Sequence, residues 1–241
     1  LGPGEGALRG LAGRVPRRVE STPSMAWLDP RNAATPPGLA RRIRAAVRHV
    51  GARDPVVADL IARFGVYDLQ TTRNHFQVML ETVISQQLST RAAASIYRRL
   101  ADALCGGRTP RPRDVLGAGD GVLRRAGLSR AKVRYVRSVA EAFASGRARP
   151  SALARASDGE VMRRLTAIDG VGEWSAHMFL IFALARLDVF PAGDLGLRKA
   201  MAAQYGLRGR PSAARLARIA QRWRPYRTVG TLYLWQSYDG V

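Results

Sequence analysis

The chain has 241 residues, of which 46% are hydrophobic, a composition that supports a sizeable core and excludes a wholly disordered protein. Lys and Arg number 39 against 18 Asp and Glu, and the net charge of +21 favours a polyanionic partner such as nucleic acid. Cys105 is the only cysteine, which excludes an intrachain disulfide and a cysteine-based zinc or iron–sulfur site.

Residues 1–36 are rich in Gly, Pro and Arg and show no sustained helical or strand periodicity. We interpret them as a flexible basic arm. Such an arm could follow DNA phosphates, but a disordered tail is the interpretation that we favour. The longest apolar run, residues 178–185, is too short to span a bilayer, and the first residues lack the apolar core of a signal peptide. We therefore expect no membrane association and an intracellular location with chromosomal DNA, in the cytoplasm or bacterial nucleoid.

Residues 37–241 form the predicted helical domain. Apolar residues recur at intervals of three and four, and strict alternation is hard to find, which predicts an all-α fold. Because the connections are short, we expect two helical lobes with a DNA-binding cleft between them, the second lobe formed by the middle of the sequence. The predicted helices span residues 38–50, 55–64, 73–87, 90–104, 113–117, 120–126, 130–145, 157–167, 173–185, 195–205, 212–223 and 228–238.

The segment LTAIDGVGEWSAHMF, residues 165–179, predicts two helices joined by a tight turn. The first helix ends at Ile168, and the second begins near Glu173. Gly170 and Gly172 allow positive φ and keep side chains away, so that backbone N–H groups at the second helix's N-terminus can bind a phosphate. A plain corner between two helices is the alternative for such a turn taken alone.

The same turn also presents carbonyl groups. Those of Thr166, Ile168 and Val171 would face away from the N–H groups and could hold a monovalent cation that bridges to the same phosphate. This cation is the one bound group that we expect. No redox cofactor is expected.

The segment DVFPAGDLGLRK, residues 188–199, places Asp194 where a helix begins after a loop. Asp is a common N-cap, so a purely structural role is the alternative to a chemical one. A helix N-terminus favours an ionised carboxylate, as do the neighbouring Arg198 and Lys199. A fixed carboxylate suits cleavage of a glycosidic bond, because it stabilises the positive charge that develops on the sugar and orients an attacking water.

In this order and at this spacing the two segments resemble those of the helix-hairpin-helix (HhH-GPD) DNA glycosylases, closest to the 3-methyladenine DNA glycosylase II group. Two departures are Asp169, where a proline is usual, and Leu195, where some relatives have an aromatic residue. The resemblance covers about residues 38–238. Three further segments agree with it: VISQQLS at residues 83–89, GLSRAK at 127–132 and WRPYRTVGTLYLW at 223–235.

The resemblance implies specific roles for residues that contact DNA. Asp194 is the implied catalytic aspartate. Gln87 falls where the family inserts a side chain into the gap left by the flipped nucleotide, a place that many members fill with an apolar residue. The implied contacts to the DNA backbone lie on the hairpin, at Gly170, Val171, Gly172 and Ser175.

The resemblance also implies a base pocket. Trp174 and Trp235 match its aromatic residues, with Met178 as a neighbour, and indole rings would stack on a positively charged alkylated purine. We expect Phe179 and Tyr238 to be core residues instead. Members of the superfamily that also nick the strand carry a lysine at the position of Trp174, so the resemblance implies a monofunctional enzyme.

The sequence therefore predicts a monomeric, monofunctional DNA glycosylase that removes alkylated purines, such as 3-methyladenine and 7-methylguanine, from duplex DNA in base excision repair. Two alternatives remain open at this point. One is a helix-hairpin-helix DNA-binding protein without catalysis. The other is a glycosylase for deaminated or mismatched bases.

Overall fold

The computed structural model describes residues 33–34, 38–66, 69 and 71–239. The predicted N-terminal arm therefore lies outside the described residues, except for Ala33 and Ala34. The contacts within the chain define two compact units. What we call the terminal unit contains the described residues 38–66, 69 and 187–239, and the central unit contains 33–34 and 71–186.

Thirteen α-helices lie in the described part of the chain. Those of the terminal unit are α1 (Leu39–Gly51), α2 (Pro55–Phe64), α11 (Leu195–Gln204), α12 (Ala213–Ala220) and α13 (Arg227–Asp239), with a 3₁₀-helix at Gln221–Trp223. Those of the central unit are α3 (His75–Ser85), α4 (Thr90–Cys105), α5 (Pro112–Gly117), α6 (Asp120–Arg125), α7 (Arg130–Ala144), α8 (Pro150–Arg155), α9 (Asp158–Thr166) and α10 (Glu173–Phe182).

The terminal unit is organised around α13, which packs against α1, α2 and α11. Helix α1 shows why the sequence folds in this way: Leu39, Ile43 and Val47 recur at a spacing of four and are buried, whereas the arginines between them are exposed. Each such fully buried side chain contributes roughly 1.5–3 kcal/mol relative to an exposed one. This packing fixes the two helices, α11 and α13, that carry Asp194 and Trp235.

The central unit is organised around α3, in which every residue from 76 to 85 is buried. It packs against α4, α7 and α10. Helix α7 packs in turn against α5 and α6, and α9 against α10. The C-terminal end of α3, the N-terminal end of α7 and the hairpin before α10 are therefore parts of one packed unit.

The all-α prediction is confirmed. All twelve predicted helices are present, with ends that differ by at most three residues, although the last predicted turn before Trp223 is a 3₁₀-helix. Helix α8, six residues that begin with a proline, was not predicted. No described helix is both long enough and apolar enough to cross a membrane.

A small β ladder was also not predicted. The strands β1 (Ala33–Ala34) and β2 (Thr71–Thr72) pair in antiparallel orientation, with Ala33 opposite Thr72. They are the only strands among the described residues. Two residues per strand leave no alternation for a sequence pattern to show.

Candidate active site and DNA-binding hairpin

The loop between α9 and α10 forms the predicted tight turn, which we call the hairpin (residues 166–172). Helix α9 ends at Thr166, two residues earlier than predicted, and α10 begins at Glu173 as predicted. Gly170 has φ 83°, and a Cβ atom there would lie 2.2 Å from Cγ of Tyr135. Both the backbone conformation and the packing therefore require glycine at position 170.

Gly172 does not use the positive φ that a glycine allows. Gly172 is the N-cap of α10 with φ −91° and ψ 179°, an extended conformation that any residue adopts. A Cβ atom at this position would meet no atom within 4 Å. The glycine therefore relieves no strain, but it leaves open space in front of the helix N-terminus.

Backbone N–H donors lie at the start of α10, and backbone carbonyl acceptors lie in the hairpin itself. The first N–H groups of α10 have no acceptor within the helix, which suits them to bind an anion. The carbonyl of Ile168 accepts from the N–H of Val171 at 3.0 Å, whereas those of Thr166 and Val171 accept no backbone N–H from the described residues. A monovalent cation at these carbonyls stays a prediction.

Two polar side chains of the hairpin and its helix have protein partners. Ser175 is buried, and its Oγ lies 3.0 Å from Nε2 of Gln86, so its contribution to DNA binding is left to its backbone N–H. Asp169 accepts from Nε of Arg134 at 2.8 Å. This exposed pairing raises the pKa of the Arg134 guanidinium.

Asp194 lies at the N-terminus of α11 in the terminal unit. Its Oδ1 accepts two hydrogen bonds, from the N–H of Leu197 at 2.6 Å and from Nε1 of the Trp235 indole at 2.8 Å. The side chain is half-buried, and the neighbouring Leu195 is 58% exposed. The carboxylate is thus held in one orientation while it is still reachable from solvent.

Asp54 provides an internal comparison, because it is also an N-cap aspartate that accepts an indole N–H. Its Oδ1 binds the N–H of Val56, and its Oδ2 accepts from Tyr205 and from Nε1 of Trp223, both at 2.8 Å. Asp54 is only 1% exposed. Its burial fits a structural role, whereas the exposure of Asp194 fits a chemical one.

The cations expected beside Asp194 have other partners. Arg198 donates to the carbonyl of Pro211 at 3.1 Å, and Nζ of Lys199 lies 3.3 Å from the hydroxyl of Tyr238. The donors to the Asp194 carboxylate include the backbone N–H of Leu197, in the first turn of α11, and the indole N–H of Trp235, on α13.

The predicted pocket residues lie in two units. Trp174 and Met178 are on α10 in the central unit, where Trp174 is half-buried and Met178 is buried. Trp235 is on α13 in the terminal unit, buried and bonded to Asp194. Phe179 is a core residue as expected, but Tyr238 is exposed, so its assignment to the core is wrong.

The predicted wedge residue Gln87 lies in the loop after α3 and is exposed. The following residue, Leu88, is 40% exposed and was not singled out in the sequence. The signal that could have found it is an apolar residue beside Gln87 in a loop, at a place where the resembling family often inserts an apolar side chain. Both side chains are exposed, and insertion of Gln87 into DNA stays a prediction.

An all-helical fold with a glycine hairpin and a held, accessible carboxylate defines a helix-hairpin-helix protein with a candidate catalytic aspartate. The chain belongs to the HhH-GPD superfamily of base excision DNA repair proteins, whose family model matches residues 80–225.

Individual relatives agree with this assignment. DNA-3-methyladenine glycosylase 1 of Schizosaccharomyces pombe is 33% identical over 163 residues, which is 67% of this chain and 72% of that protein. The alkylbase DNA glycosidase-like protein mag2 of the same organism is 29% identical over 79% of this chain and 92% of its own length.

Solved structures show the same fold. The S. pombe 3-methyladenine DNA glycosylase, in complex with abasic DNA, matches with a TM-score of 0.73 at 30% identity, over 80% of this chain and 95% of that one. The DNA-3-methyladenine glycosidase of Bacillus halodurans matches with a TM-score of 0.69 at 36% identity, over 80% of this chain and 88% of its own.

Proposed function

We propose that this chain is a monofunctional DNA glycosylase that hydrolyses the N-glycosidic bond of alkylated purines in duplex DNA. The observation that carries the proposal is the Asp194 carboxylate, held at a helix N-terminus by two donors on one oxygen and accessible to a substrate. Three of its relatives carry the names DNA-3-methyladenine glycosylase 1, alkylbase DNA glycosidase-like protein mag2 and DNA-3-methyladenine glycosidase. We propose that the protein acts on chromosomal DNA, in the cytoplasm or the bacterial nucleoid.

Asp194 is the proposed catalytic residue. As the C1′–N bond breaks, its electrons leave with the base and positive charge develops on the deoxyribose. A fixed carboxylate stabilises this charge and orients a water, which adds to C1′ and gives its proton to the carboxylate, from which the proton passes to solvent. The indole N–H of Trp235 and the N–H of Leu197 hold Oδ1, so little reorganisation is needed during the reaction.

The hairpin binds the DNA backbone. The N–H groups at the start of α10 bind a backbone phosphate independently of sequence, and the open space at Gly172 lets the phosphate approach. The carbonyls of Thr166, Ile168 and Val171 would hold a monovalent cation, which neutralises charge at that phosphate when it is bound.

Strand nicking is not part of the proposed activity. Trp174 stands at the position where lyase members carry the amine that forms a Schiff base with the sugar. The product is then an abasic site. The indole of Trp235, beside Asp194, is a proposed aromatic partner of a positively charged purine, which cation–π attraction favours over an undamaged base.

Release of free bases from methylated duplex DNA, separated by chromatography, tests the proposal. We expect the full chain to release 3-methyladenine or 7-methylguanine. If only duplexes that contain deaminated or mismatched bases release a base, the alkylpurine specificity is wrong and the reaction class stands. If DNA is bound and no base is released from any of these duplexes, the chain is a binding module.

Borohydride trapping tests the monofunctional assignment separately. Sodium borohydride reduces a Schiff base to a stable covalent link between protein and DNA. We expect no covalent adduct on damaged or abasic duplexes, and an adduct would show that an amine of this chain carries out lyase chemistry.

A further inference from the structure

The loop after α3 contains a tight turn with an unusual residue. The N–H of Leu88 donates to the carbonyl of Ser85 at 3.0 Å, which closes a four-residue turn. Gln86 has φ −49° and ψ 126°, and Gln87 has φ 58°. These angles match a type II turn, whose third residue is normally Gly or Asn because it needs a positive φ. A glutamine is strained there, and strain that persists points to a function for the side chain.

Lys132 holds the main chain of this turn. Its Nζ, in the first turn of α7, donates to the carbonyl of Ile84 and, at 2.9 Å, to that of Gln86. These carbonyls lie at the C-terminal end of α3, where a cation also meets the negative end of the helix dipole. Burial lowers the pKa of the Lys132 amine, since the group is partly withdrawn from solvent.

The side chain of Gln86 joins the turn to the hairpin. Its Nε2 donates to the carbonyl of Gly170 at 2.8 Å and to Oγ of Ser175 at 3.0 Å. Tyr135, one helical turn after Lys132 on α7, packs against Gly170. Helix α7 therefore supports the turn with one side chain and the hairpin with another, and Gln86 connects the two directly.

We infer that Lys132 and Gln86 are positioning residues that hold Gln87 in its left-handed conformation at a fixed distance from the phosphate-binding hairpin. The inference rests on the proposed roles of Gln87 and the hairpin. A residue that enters the duplex must reach the gap left by one nucleotide while the hairpin grips a phosphate nearby. A displacement of about 1 Å between the two can cost a large part of the rate, because the flipped base is then misplaced at the catalytic group.

Amide hydrogen exchange of the free protein tests the positioning without any need for activity. We compare the wild type with Lys132→Met, which keeps the length of the side chain but has no donor, and with Gln86→Leu. The matched control is Arg147→Gln, which loses one exposed positive charge after the other end of α7. We expect exchange in the peptide 84–90 to become about tenfold faster in both variants and to be unchanged in the control. Unchanged exchange in both variants overturns the inference.

Single-turnover excision and DNA affinity test the functional consequence. At saturating damaged duplex we expect Lys132→Met and Gln86→Leu to lower the excision rate about tenfold, with affinity for undamaged DNA kept within about twofold because the hairpin donors remain. An excision rate equal to that of the control contradicts the positioning role. A wild type without excision activity contradicts the proposed function, while the exchange experiment still decides whether these side chains hold the turn.

Discussion

At the scale of single residues, the contrast between Asp54 and Asp194 separates a structural carboxylate from a chemical one. Both cap a helix, and both accept an indole N–H at 2.8 Å. Asp54 has its two oxygens occupied inside the terminal unit, and burial raises the pKa of the Tyr205 phenol bonded to it. Asp194 is half-buried beside the exposed Leu195. The hydrogen bonds at the N-cap therefore orient the Asp194 carboxylate, while the side chain stays partly exposed to solvent.

The Trp235 indole has a role beyond stacking that a conservative variant can isolate. Trp235→Phe keeps an aromatic ring but removes the donor to Oδ1 of Asp194. We expect the single-turnover excision rate to fall about tenfold, the effect of one lost hydrogen bond of about 1–1.5 kcal/mol on the transition state. DNA affinity should change little, as a filter-binding or anisotropy titration would show.

Trp223→Phe is the matched control, since it removes the corresponding donor to Asp54. This variant should lower the thermal unfolding midpoint and leave the excision rate of the folded protein nearly unchanged. If Trp235→Phe excises bases as fast as the wild type, the hydrogen bond to Asp194 does not orient the carboxylate for catalysis.

Sequence motifs identified Asp194 and Gly170, because a helix start after a loop and a glycine turn are local features that few residues determine. The hydrogen bonds of Lys132, Gln86 and Trp235 were beyond prediction. Each joins residues about 40 to 90 positions apart, and their geometry depends on how separate helices pack. Leu88 was missed because its exposure is a property of the folded chain, although an apolar residue beside Gln87 in a loop is a signal that the sequence carries.

At the scale of elements, the two hairpin glycines serve different purposes. Gly170 needs its positive φ and its contact with Tyr135, whereas Gly172 has an ordinary conformation and open space around it. The fold requires glycine at the first position, whereas at the second the proposed function is the reason for a glycine, since it leaves room for a phosphate.

Alanine substitutions distinguish these two requirements. Gly170→Ala should distort the hairpin, lower stability by roughly 1–3 kcal/mol and weaken DNA binding more than tenfold, because of both backbone strain and the clash with Tyr135. Gly172→Ala should fold with nearly unchanged stability and still bind DNA more weakly, since its methyl group occupies the space of the phosphate. Thermal unfolding and DNA titration of the two variants check this. Wild-type affinity in Gly172→Ala would mean that the phosphate does not lie there.

Helix starts were easier to predict than helix ends. Asp54, Ser129 and Asp194 are N-caps in the structure, and each side chain accepts an N–H from the first turn. The end of α10 was placed three residues too late, because the apolar run continues past Phe182, whereas the backbone turns to φ 52° at Ala185. Apolar periodicity does not record such a change of backbone direction.

At the scale of the whole molecule, stability should depend on pH through His75. Its ring packs edge-on against Phe179 with 5.4 Å between ring centroids, and burial lowers its pKa below the ordinary value of 6.5. The unfolded chain then binds a proton more readily than the folded one. The free energy of unfolding should therefore fall as the pH drops through 6.5, the upper edge of this window.

His75→Phe keeps a ring against Phe179 and removes the titration. The difference in unfolding midpoint between pH 8 and pH 5 should be smaller in this variant than in the wild type, as measured by circular dichroism. Equal differences in the two proteins would show that His75 does not contribute to the acid sensitivity.

The all-α class of the molecule could be predicted from the spacing of apolar residues. The family could be predicted from the order and spacing of two sequence segments, residues 165–179 and 188–199. The pairing of β1 with β2 could not be predicted, because two residues per strand contain no period, and helix α8 was not predicted either. The positive charge of the chain indicated a nucleic-acid partner. The lesion that the protein removes depends instead on pocket side chains, for which composition gives no signal.

The measurement that tests the central claim most directly is base release from methylated duplex DNA by the wild type and by Asp194→Asn. The asparagine keeps an oxygen acceptor for the N-cap and for Trp235 but loses the negative charge. We predict that the variant binds the duplex with near wild-type affinity and releases alkylated purines at least about a hundredfold more slowly, as expected for loss of a charge that stabilises the transition state. Release at the wild-type rate by Asp194→Asn would contradict the account.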